Sequence, residues 1–464
     1  MEELAAKYTA NLPPCPQSSS SIPSEDLPRI PTILLTGSTG SLGSYILASL
    51  LTSHPAARII CFNRPSQSPP QNNGTNSDSA ERQRTIMASC GLPTTFPFTV
   101  SFITGDLVAP YLSLPKSEYE RLAAQVTHVI HNAWSVNFLA PLEKLEGLIA
   151  GTRALVDFCV AAASCSSPSS RTRRRQGPVL FFTSTLGVGL QWPWHRDGML
   201  PERLLSWDAD PLMGYGRAKV VAEYVLSEAS RVSGVRTVIC RVGQVAGPTG
   251  EKGGWSQREW LPSLLASSVT MGVLPRSLGP ANDVCWMPVD LLAEVVVELC
   301  LGVDEMEREE GVRVMRECEE ELFDRDVRWR KSIQEGEEDS LLRRTPERCT
   351  VFHTSNPRSI SYAALAPTIR YMIPPGIKEV PFQEWIVRLN ESSADMANNP
   401  AKRLMEMFTG LAALDSVGKG MVKMDTRNTV LSSKKLHDMP PISPEWMRGW
   451  MWQWGYRGVE RARL

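Results

Sequence analysis

The feature that most constrains the fold is a glycine-rich turn between an apolar strand and an apolar helix. The turn reads TGSTGSLGS and places Gly37, Gly40 and Gly43 three residues apart. An apolar run at 33–35 precedes it, and residues 45–51 carry apolar side chains at helical spacing. A strand, a tight glycine turn and a helix in this order open a doubly wound α/β sheet.

Glycine at these positions has a specific chemical use. It lets the chain turn sharply, lets a pyrophosphate approach backbone N–H groups, and lets the helix lie close to the sheet. The spacing is GxxGxxG rather than GxGxxG, so the order of elements supports the prediction as much as the motif does. We expect a dinucleotide site rather than a purely structural turn. The residues expected to hold the dinucleotide are Gly37, Thr39, Gly40, Ser41, Leu42 and Gly43.

Strands and helices alternate along the chain after this turn. Apolar runs predict strands at 58–62, 98–103, 126–131, 179–183 and 237–242. Helical spacing predicts helices at 118–124, 142–163 and 215–230. Such alternation implies right-handed crossovers and a parallel, doubly wound sheet of the Rossmann type.

Composition divides the chain into three parts. Residues 1–29 are expected to be linker-like, because positions 13–29 are dense in Pro and Ser. Residues 30–245 hold the alternating pattern and form the predicted dinucleotide-binding domain. Residues 246–464 are less periodic, and we expect a smaller, mostly helical substrate-binding subdomain there, with a charged insertion over 304–348.

Charge and composition exclude several kinds of partner. Lys and Arg number 49 against 50 Asp and Glu, a net charge of −1 that provides no general attraction for nucleic acid or an anionic membrane. The chain shows no N-terminal export signal and no window with the roughly 18 uninterrupted apolar residues of a membrane span. Cys61, Cys159, Cys240 and Cys300 lie in apolar runs and form no Cys-x-x-Cys pair. We therefore expect buried thiols, no metal site and a reducing, cytoplasmic location.

The end of the second strand indicates which dinucleotide binds. An NAD site usually offers an acid about 20 residues after the glycine turn, whereas this chain has CFNR at 61–64. Arg64 can form a bidentate pair with a 2′-phosphate, which predicts NADPH; the alternative is an exposed loop arginine. Arg84 is a second candidate for the same contact.

Two further strand ends point to the same site. Asp106 would accept from an adenine amino group, with Leu107 beside it, and Asn132 and Ala133 would face the cofactor ribose. Ligands of parallel sheets bind beyond the carboxyl ends of the strands, so both stretches have the right location. Each stretch also fits a helix cap.

A phenol and an ammonium are spaced to share one helical face. Tyr215 and Lys219 stand at i and i+4 in YGRAK. A free phenol, with a pKa of about 10, is a poor acid at neutral pH, and we expect the neighbouring ammonium to lower that pKa. Upstream, FFTST at 181–185 ends a strand with hydroxyls suited to hold a substrate carbonyl against the phenol.

In this order the motifs resemble those of the short-chain dehydrogenases/reductases over about residues 31–290. More narrowly, nearly the whole chain resembles the thioester reductase domains that end fungal nonribosomal-peptide-synthetase-like and polyketide assembly lines, relatives of carboxylic acid and aminoadipate reductases. The stretches that carry this resemblance are TGSTGSLGS, HNAWSVNF, FFTST, YGRAK, RVGQVAG, WMPVD, the early KYTANLP and the closing SPEWMRGWMWQWGY.

The resemblance implies a role for each catalytic residue. Tyr215 would be the proton donor, and Lys219 would hold the nicotinamide ribose and tune Tyr215. Thr185 would be the hydroxyl partner, with Thr183 and Ser184 as alternatives.

The implied reaction is NADPH-dependent reduction of an acyl or aminoacyl thioester, carried on the phosphopantetheine of a carrier protein, to an aldehyde and in a second step to an alcohol. Trp134 stands where many relatives have a smaller residue and would narrow the pocket. One alternative is an extended reductase or epimerase acting on a free small molecule or nucleotide sugar, against which the C-terminal resemblance argues. The other is a non-catalytic dinucleotide sensor, which would usually have lost the Tyr or the Lys.

Overall fold

The fold is built from strands that alternate with helices, over the residues that the computed structural model describes: 1–15, 30–65, 75–137, 140–164, 177–190, 192, 199–211, 213–303, 348–418 and 420–458. The strands are β1 Thr32–Thr36, β2 Arg58–Asn63, β3 Val100–Thr104, β4 His128–His131, β5 Val179–Thr185, β6 Arg236–Val242, β7 Val245–Ala246, β8 Val273–Pro275, β9 Asp283–Val284, β10 Met287–Pro288, β11 Cys349–Thr354, β12 Ile360–Ser361 and β13 Lys378–Val380. The helices are α1 Glu2–Thr9, α2 Ser41–Ser53, α3 Thr75–Ser89, α4 Lys116–Gln125, α5 Glu146–Ser164, α6 Gly214–Ser233, α7 Trp260–Met271, α8 Val289–Leu301, α9 Tyr362–Met372, α10 Phe382–Glu391, α11 Met405–Ser416, α12 Arg427–Ser432, α13 Lys434–His437 and α14 Pro444–Gln453.

Seven of these strands form one parallel sheet, in the order β3-β2-β1-β4-β5-β6-β11. The strand order reverses at β1, whose neighbours are β2 and β4. β1 is buried along its whole length, as expected for a strand covered by helices on both faces. The predicted Rossmann-type sheet is confirmed. The loops after β1 and β4 lie at the switch point where such sheets bind ligands.

The predicted elements agree closely with the structure up to β6. The strand expected at 179–183 is Val179–Thr185, and the helix expected at 215–230 is Gly214–Ser233. The sequence places the last strand of the sheet at 237–242, but Cys349–Thr354 pairs with that strand as a seventh. The charged insertion that the sequence predicts over 304–348 precedes this strand, and its residues 304–347 lie outside the described residues.

Two units divide the chain. Unit 1 comprises Met1–Gly243, Leu292–Thr354 and Met424–His437, and unit 2 comprises Gln244–Leu291, Ser355–Lys423 and Asp438–Leu464. The sequence predicts a single boundary between residues 245 and 246. The chain does leave unit 1 near that position, but it returns to unit 1 twice, because β11 completes the sheet and a later segment covers the end of that strand.

The segment that the sequence predicts to be a linker begins with a helix, α1, which belongs to unit 1. The Tyr8 hydroxyl donates to Glu146 Oε1 at 2.8 Å. Arg153 donates to the carbonyls of Tyr8 and Ala10 at 2.7 and 2.9 Å. These contacts hold the start of the chain against α5, whereas the Pro- and Ser-rich residues 16–29 lie outside the described residues.

One helical stretch, Leu142–Ser164, is long and apolar enough to cross a membrane by length and composition. Its main part, α5, contacts α4, α6 and β5. Apolar residues such as Leu155 and Phe158 are fully buried in those contacts. The apolar composition of α5 is therefore accounted for by its place in the core of unit 1.

Unit 2 is mostly helical and has an aromatic core. Three two-stranded pairs, β7 with β10, β8 with β13 and β9 with β12, join its loops. The ring of Trp255 lies 5.4, 5.1 and 5.5 Å from those of Trp286, Trp450 and Trp454. Trp450 is 1% exposed. The tryptophan-rich face of α14 is thus the packed face of an amphipathic helix.

A buried carboxyl ties the last returning segment to the sheet within unit 1. The backbone N–H groups of His353, Asn428 and Thr429 donate to Glu202 at 3.1, 2.6 and 3.0 Å. The Thr429 hydroxyl donates to the same side chain. Glu202 therefore fixes the start of α12 against β11.

Replacing Glu202 by Gln should destabilise unit 1, because the amide turns an N–H group toward donors that need an acceptor. We expect the free energy of unfolding, measured by urea denaturation, to fall by about 1–3 kcal/mol. Glu384→Gln is the control, since Glu384 forms an exposed helical pair with Arg388; it should cost less than about 0.5 kcal/mol. Equal losses in the two variants would contradict the role given to Glu202.

Candidate active site

The glycine-rich turn leaves β1 and enters α2 with a tightly folded backbone. Gly37 has a φ of 72°, in the left-handed region, and a Cβ there would lie 2.8 Å from the backbone of Ala133. A Cβ on Gly43 would lie 2.0 Å from the Gly37 carbonyl oxygen. Only glycine fits either position, and the unpaired N–H groups that begin α2 are those that bind phosphate at helix N-termini. The rest of the predicted turn completes this segment: Thr39, Gly40, Ser41 and Leu42.

A directed chain of hydrogen bonds ties the end of β4 to the end of β1. The Ala133 N–H donates to Thr36 Oγ1 at 3.1 Å, and Thr36 Oγ1 lies 3.0 Å from His131 Nδ1. His131 Nε2 lies 3.2 Å from Thr152 Oγ1, whose hydroxyl donates to the Leu148 carbonyl. Thr152 must therefore accept from His131, whose proton sits on Nε2. Burial lowers the pKa of His131 to about 3, so the ring is neutral.

Asn132 extends this connection to the end of β5. Its Nδ2 donates to the Gly37 carbonyl at 3.5 Å, and the Thr183 hydroxyl donates to its Oδ1 at 3.3 Å. Lys219 Nζ donates to the Thr183 carbonyl at 2.5 Å. Three consecutive contacts within unit 1 thus join the glycine turn to the lysine of the Tyr-x-x-x-Lys pair.

Arg64 lies directly after β2 and is exposed. The preceding residue, Asn63, accepts from the Ser38 hydroxyl at 3.1 Å, which ties this strand end to the glycine turn. The structure therefore places Arg64 beside the loop after β1.

Helix α3 adds an arginine that the sequence analysis does not identify. Arg82 Nη2 donates to the Arg64 carbonyl at 2.7 Å. Arg84, the second sequence candidate, pairs instead with Glu81 at 2.9 Å and lies 5.9 Å from the ring centroid of Phe96. Arg82 and Arg84 are two residues apart on α3, which is polar. A polar helix has no apolar stripe to show which face packs on the sheet, so the sequence does not indicate which of the two arginines faces the end of β2.

Asp106 and Leu107 follow β3 at the same edge of the sheet. Asp106 is exposed, and its Oδ1 accepts from the Val108 N–H at 3.0 Å. Leu107 packs against α5, where a Cβ on Gly151 would lie 3.3 Å from its side chain. Asp106 thus offers the polar contact and Leu107 an apolar one.

Lys219, which lies on α6, is buried among aromatic rings. Its side chain is 1% exposed. Its Nζ lies 3.9 Å from the ring centroid of Trp134, 4.4 Å from that of Phe182 and 5.9 Å from that of Tyr215. Cation–π attraction and the Thr183 carbonyl offset part of the free energy that the ammonium loses with its hydration. Trp134 therefore covers Lys219.

Burial sets the protonation of both members of the pair. It raises the pKa of Tyr215 to about 12 and lowers the pKa of Lys219 well below its ordinary value. The expectation of a lowered pKa for the phenol is wrong, because the loss of hydration on burial raises that pKa. A phenol that stays protonated at neutral pH is in the state that a proton donor needs.

The three hydroxyls at the end of β5 have separate partners. Ser184 Oγ donates to Glu223 Oε1 at 2.5 Å, and the Thr183 hydroxyl shares its one proton between Asn132 Oδ1 and the His131 carbonyl, at 3.3 and 3.2 Å. Thr185 Oγ1 accepts from the Gly187 N–H at 3.1 Å and keeps its own proton available. Thr183 and Ser184 are 6% and 4% exposed, whereas Thr185 is half-buried. Of the three, Thr185 is best placed to meet a ligand.

Several cysteines of the described residues lie in the core. Cys61, Cys159 and Cys240 are buried thiols, and burial raises the pKa of Cys61 and of Cys240 to about 12. Over the described residues, no group of three or more His, Cys, Asp or Glu side chains could hold a metal ion.

The fold and the site together define a class of protein. It is a Rossmann-type protein that binds a nicotinamide dinucleotide and has Tyr215 and Lys219 one turn apart on α6. The chain belongs to the male sterility protein family of NAD-binding domains, whose family model matches residues 35–296.

Two curated fungal proteins are similar over nearly the whole chain. Carboxylic acid reductase of Neurospora crassa is 31% identical over 463 residues, which cover 98% of this chain and 38% of that protein. Adenylate-forming reductase Nps10 of Heterobasidion annosum is 28% identical over 474 residues, which cover 98% of this chain and 36% of that protein. The chain thus spans less than two fifths of the length of these relatives.

Among solved structures, the terminal R domain of the myxalamid PKS-NRPS biosynthetic pathway has the same fold. Its TM-score is 0.67 at 22% sequence identity, and the match covers 100% of this chain and 98% of that one.

Gly43→Ala should weaken the binding of NADPH and of NADH at least about tenfold, equivalent to about 1.4 kcal/mol. The added methyl would lie 2.0 Å from the Gly37 carbonyl, so the turn would have to open. Quenching of tryptophan fluorescence during titration measures the affinity. Gly147→Ala on α5 is the control, since no atom lies within 4 Å of its Cβ position. Unchanged affinity in Gly43→Ala would show that the turn does not hold the dinucleotide.

Proposed function

We propose that the chain reduces a carrier-bound acyl or aminoacyl thioester with NADPH and releases the product as an aldehyde. The observation that carries this proposal is the series of three contacts from Gly37 through Asn132 and Thr183 to Lys219. It holds a dinucleotide turn and an acid–base pair at one end of the sheet. The reductases among the relatives support the reaction type. A second hydride transfer would convert the aldehyde into an alcohol.

Residues of unit 1 are suited to hold the dinucleotide. The backbone of the glycine turn would bind the pyrophosphate, Asp106 the adenine amino group and Lys219 the nicotinamide ribose. The close approach at Gly37 and Gly43, which no other residue permits, fits this use. When bound, NADPH supplies a hydride for the carbonyl carbon of the thioester.

Tyr215 supplies the proton in the reduction. Its phenol protonates the carbonyl oxygen as that oxygen takes up the electron pair of the C=O bond, and the Thr185 hydroxyl holds the same oxygen. The ammonium of Lys219 stabilises the phenolate that remains. The resulting thiohemiacetal then returns its hydroxyl proton to Tyr215, the C–S bond breaks, and the pantetheine leaves as thiolate. No acyl–enzyme bond is required.

The choice of NADPH over NADH rests on the arginines beyond β2. Arg64 is exposed at the strand end, and Arg82 lies against its backbone. No acidic residue stands in CFNR to accept from a free ribose hydroxyl. A guanidinium at this place suits a 2′-phosphate.

The carrier and the location follow from the same proposal. The thioester would be presented on the phosphopantetheine of a carrier protein, which the similarity to the longer carboxylic acid reductase and adenylate-forming reductase supports. We assign recognition of the acyl chain to unit 2. Buried thiols such as Cys61 suit a reducing compartment, and we place the protein in the cytoplasm.

Tyr215→Phe should lower thioester-dependent NADPH oxidation by about 10²- to 10⁴-fold, because the substrate oxygen loses its proton donor. NADPH affinity should be retained. Absorbance of the reduced cofactor, with an acyl-pantetheine substrate, measures the rate, and mass spectrometry identifies the aldehyde. Tyr224→Phe is the control: Tyr224 lies on the same helix as Tyr215, its ring stacks on Trp207 of a preceding turn, and the variant should keep full activity. Unchanged turnover in Tyr215→Phe would refute the assignment.

Arg64→Ala should raise the KM for NADPH about 10- to 100-fold, since a charge-assisted contact of about 1.5–3 kcal/mol is lost. The KM for NADH should change little. Arg84→Ala is the matched control, because that side chain already pairs with Glu81. Equal effects of Arg64→Ala on the two cofactors would remove the 2′-phosphate contact from the proposal.

A further inference from the structure

Glu223 lies one helical turn beyond Lys219 and is also buried. Tyr215, Lys219 and Glu223 stand at i, i+4 and i+8 of α6. The side chain of Glu223 is 3% exposed. Arg241 donates to its Oε1 from Nε at 3.1 Å and to its Oε2 from Nη2 at 2.8 Å, and Ser184 donates to Oε1 at 2.5 Å. These donors hold Glu223 as an ionised, oriented carboxylate.

Arg241 is held in turn by the seventh strand. Its side chain is 0% exposed. Arg241 Nη1 lies 3.2 Å from His353 Nε2, and His353 Nδ1 lies 2.8 Å from the Asp425 carbonyl. A carbonyl can only accept, so His353 carries its proton on Nδ1 and accepts from Arg241 with Nε2. Burial keeps the pKa of His353 well below its ordinary value. The neutral ring therefore orients Arg241 without adding charge.

We propose that Glu223 is a positioning residue of the active site: its carboxylate, fixed by Arg241 and Ser184, is the counter-charge that keeps the buried ammonium of Lys219 protonated beside Tyr215. Lys219 and Arg241 are positive and Glu223 is negative, so the three groups together carry one net positive charge. This charge stabilises the oxyanion that forms on the substrate. The effect on turnover rests on the proposed function, whereas the effect on Lys219 does not.

The charges around Lys219 agree with this role. Burial lowers the pKa of Lys219, and the carboxylate of Glu223 acts against that shift. The titratable groups that interact with Lys219 are Tyr215 and Glu223 on α6 and His131 at the end of β4, and the end of β5 contributes the Thr183 carbonyl. Arg241 on β6 contacts Glu223. Glu223 is the only anion among these groups. Its loss would leave the ammonium with a carbonyl and aromatic rings alone.

The test compares the wild-type chain with Glu223→Gln and Glu223→Asp. The control is Glu228→Gln, which removes a carboxylate from the same helix, where it pairs with Arg231 at 2.6 Å. We would measure kcat for thioester reduction and the Kd of NADPH between about pH 5.5 and about pH 9. In Glu223→Gln the alkaline limb of the kcat profile should move to lower pH by about one unit or more. In Glu223→Asp and Glu228→Gln it should stay in place.

A second variant distinguishes a loss of stability from the loss of the counter-charge. Glu223→Gln leaves Arg241 buried without its anion, which can lower the melting temperature by itself. The double variant E223Q/R241Q removes both charges and should recover much of the melting temperature while keeping the displaced limb. An alkaline limb that stays in place in the folded single or double variant would overturn the proposal.

Binding separates this proposal from the proposed function. If the wild-type chain reduces no thioester, the proposed function fails, but the pH dependence of the NADPH Kd still reports the charge on Lys219. As the pH is raised, the NADPH affinity of Glu223→Gln should begin to fall at a lower pH than that of the wild type. This result would support the role of Glu223. Identical pH dependence in the two proteins would refute it.

Discussion

Hydrogen bonds that run from Gly37 through Asn132 and Thr183 to Lys219 join the glycine turn to the helix of Tyr215 within unit 1. β1, β4 and β5 are adjacent in a parallel sheet, so their carboxyl ends meet at one edge. The contacts bind the loops after these strands to one another. A slip of any one strand would therefore displace the glycine turn and the helix that carries Tyr215 together.

Burial determines what each ionisable group of the site can do. The phenol of Tyr215 and the imidazole of His131 are driven to their neutral forms, which suit a proton donor and a directed hydrogen-bond chain. Lys219 can act on the phenol only when its side chain is protonated. A carbonyl, two aromatic faces and a nearby anion stabilise that protonated form. The ion pair of Glu223 and Arg241 adds little net stability compared with an apolar pair. Its value lies in fixing where a negative charge stands.

The sequence is sufficient to predict the strands, the glycine turn and the helix of Tyr215, because glycine spacing and apolar periodicity are local properties. The pairing of β11 with β6 is not predictable in this way, since it joins segments far apart in the chain. The direction of the Tyr215 pKa shift depends on burial. The i, i+4 spacing of Tyr215 and Lys219 does not show how deeply either side chain is buried, so the sequence could not predict this direction. A signal for Glu223 is nevertheless present: Arg241 stands between the apolar residues Cys240 and Val242 near the end of β6, and a buried guanidinium requires an anion.

The interleaving of the two units has a consequence for anyone who wishes to recombine this protein with its relatives. A fragment that stops after β6 would lack the strand that bears His353 and would expose one edge of the sheet. Unit 2 is likewise not a single cassette. A chimera that grafts a new unit 2 onto this scaffold must exchange three separate stretches, at 244–291, 355–423 and 438–464. The two intervening stretches of scaffold must be left untouched.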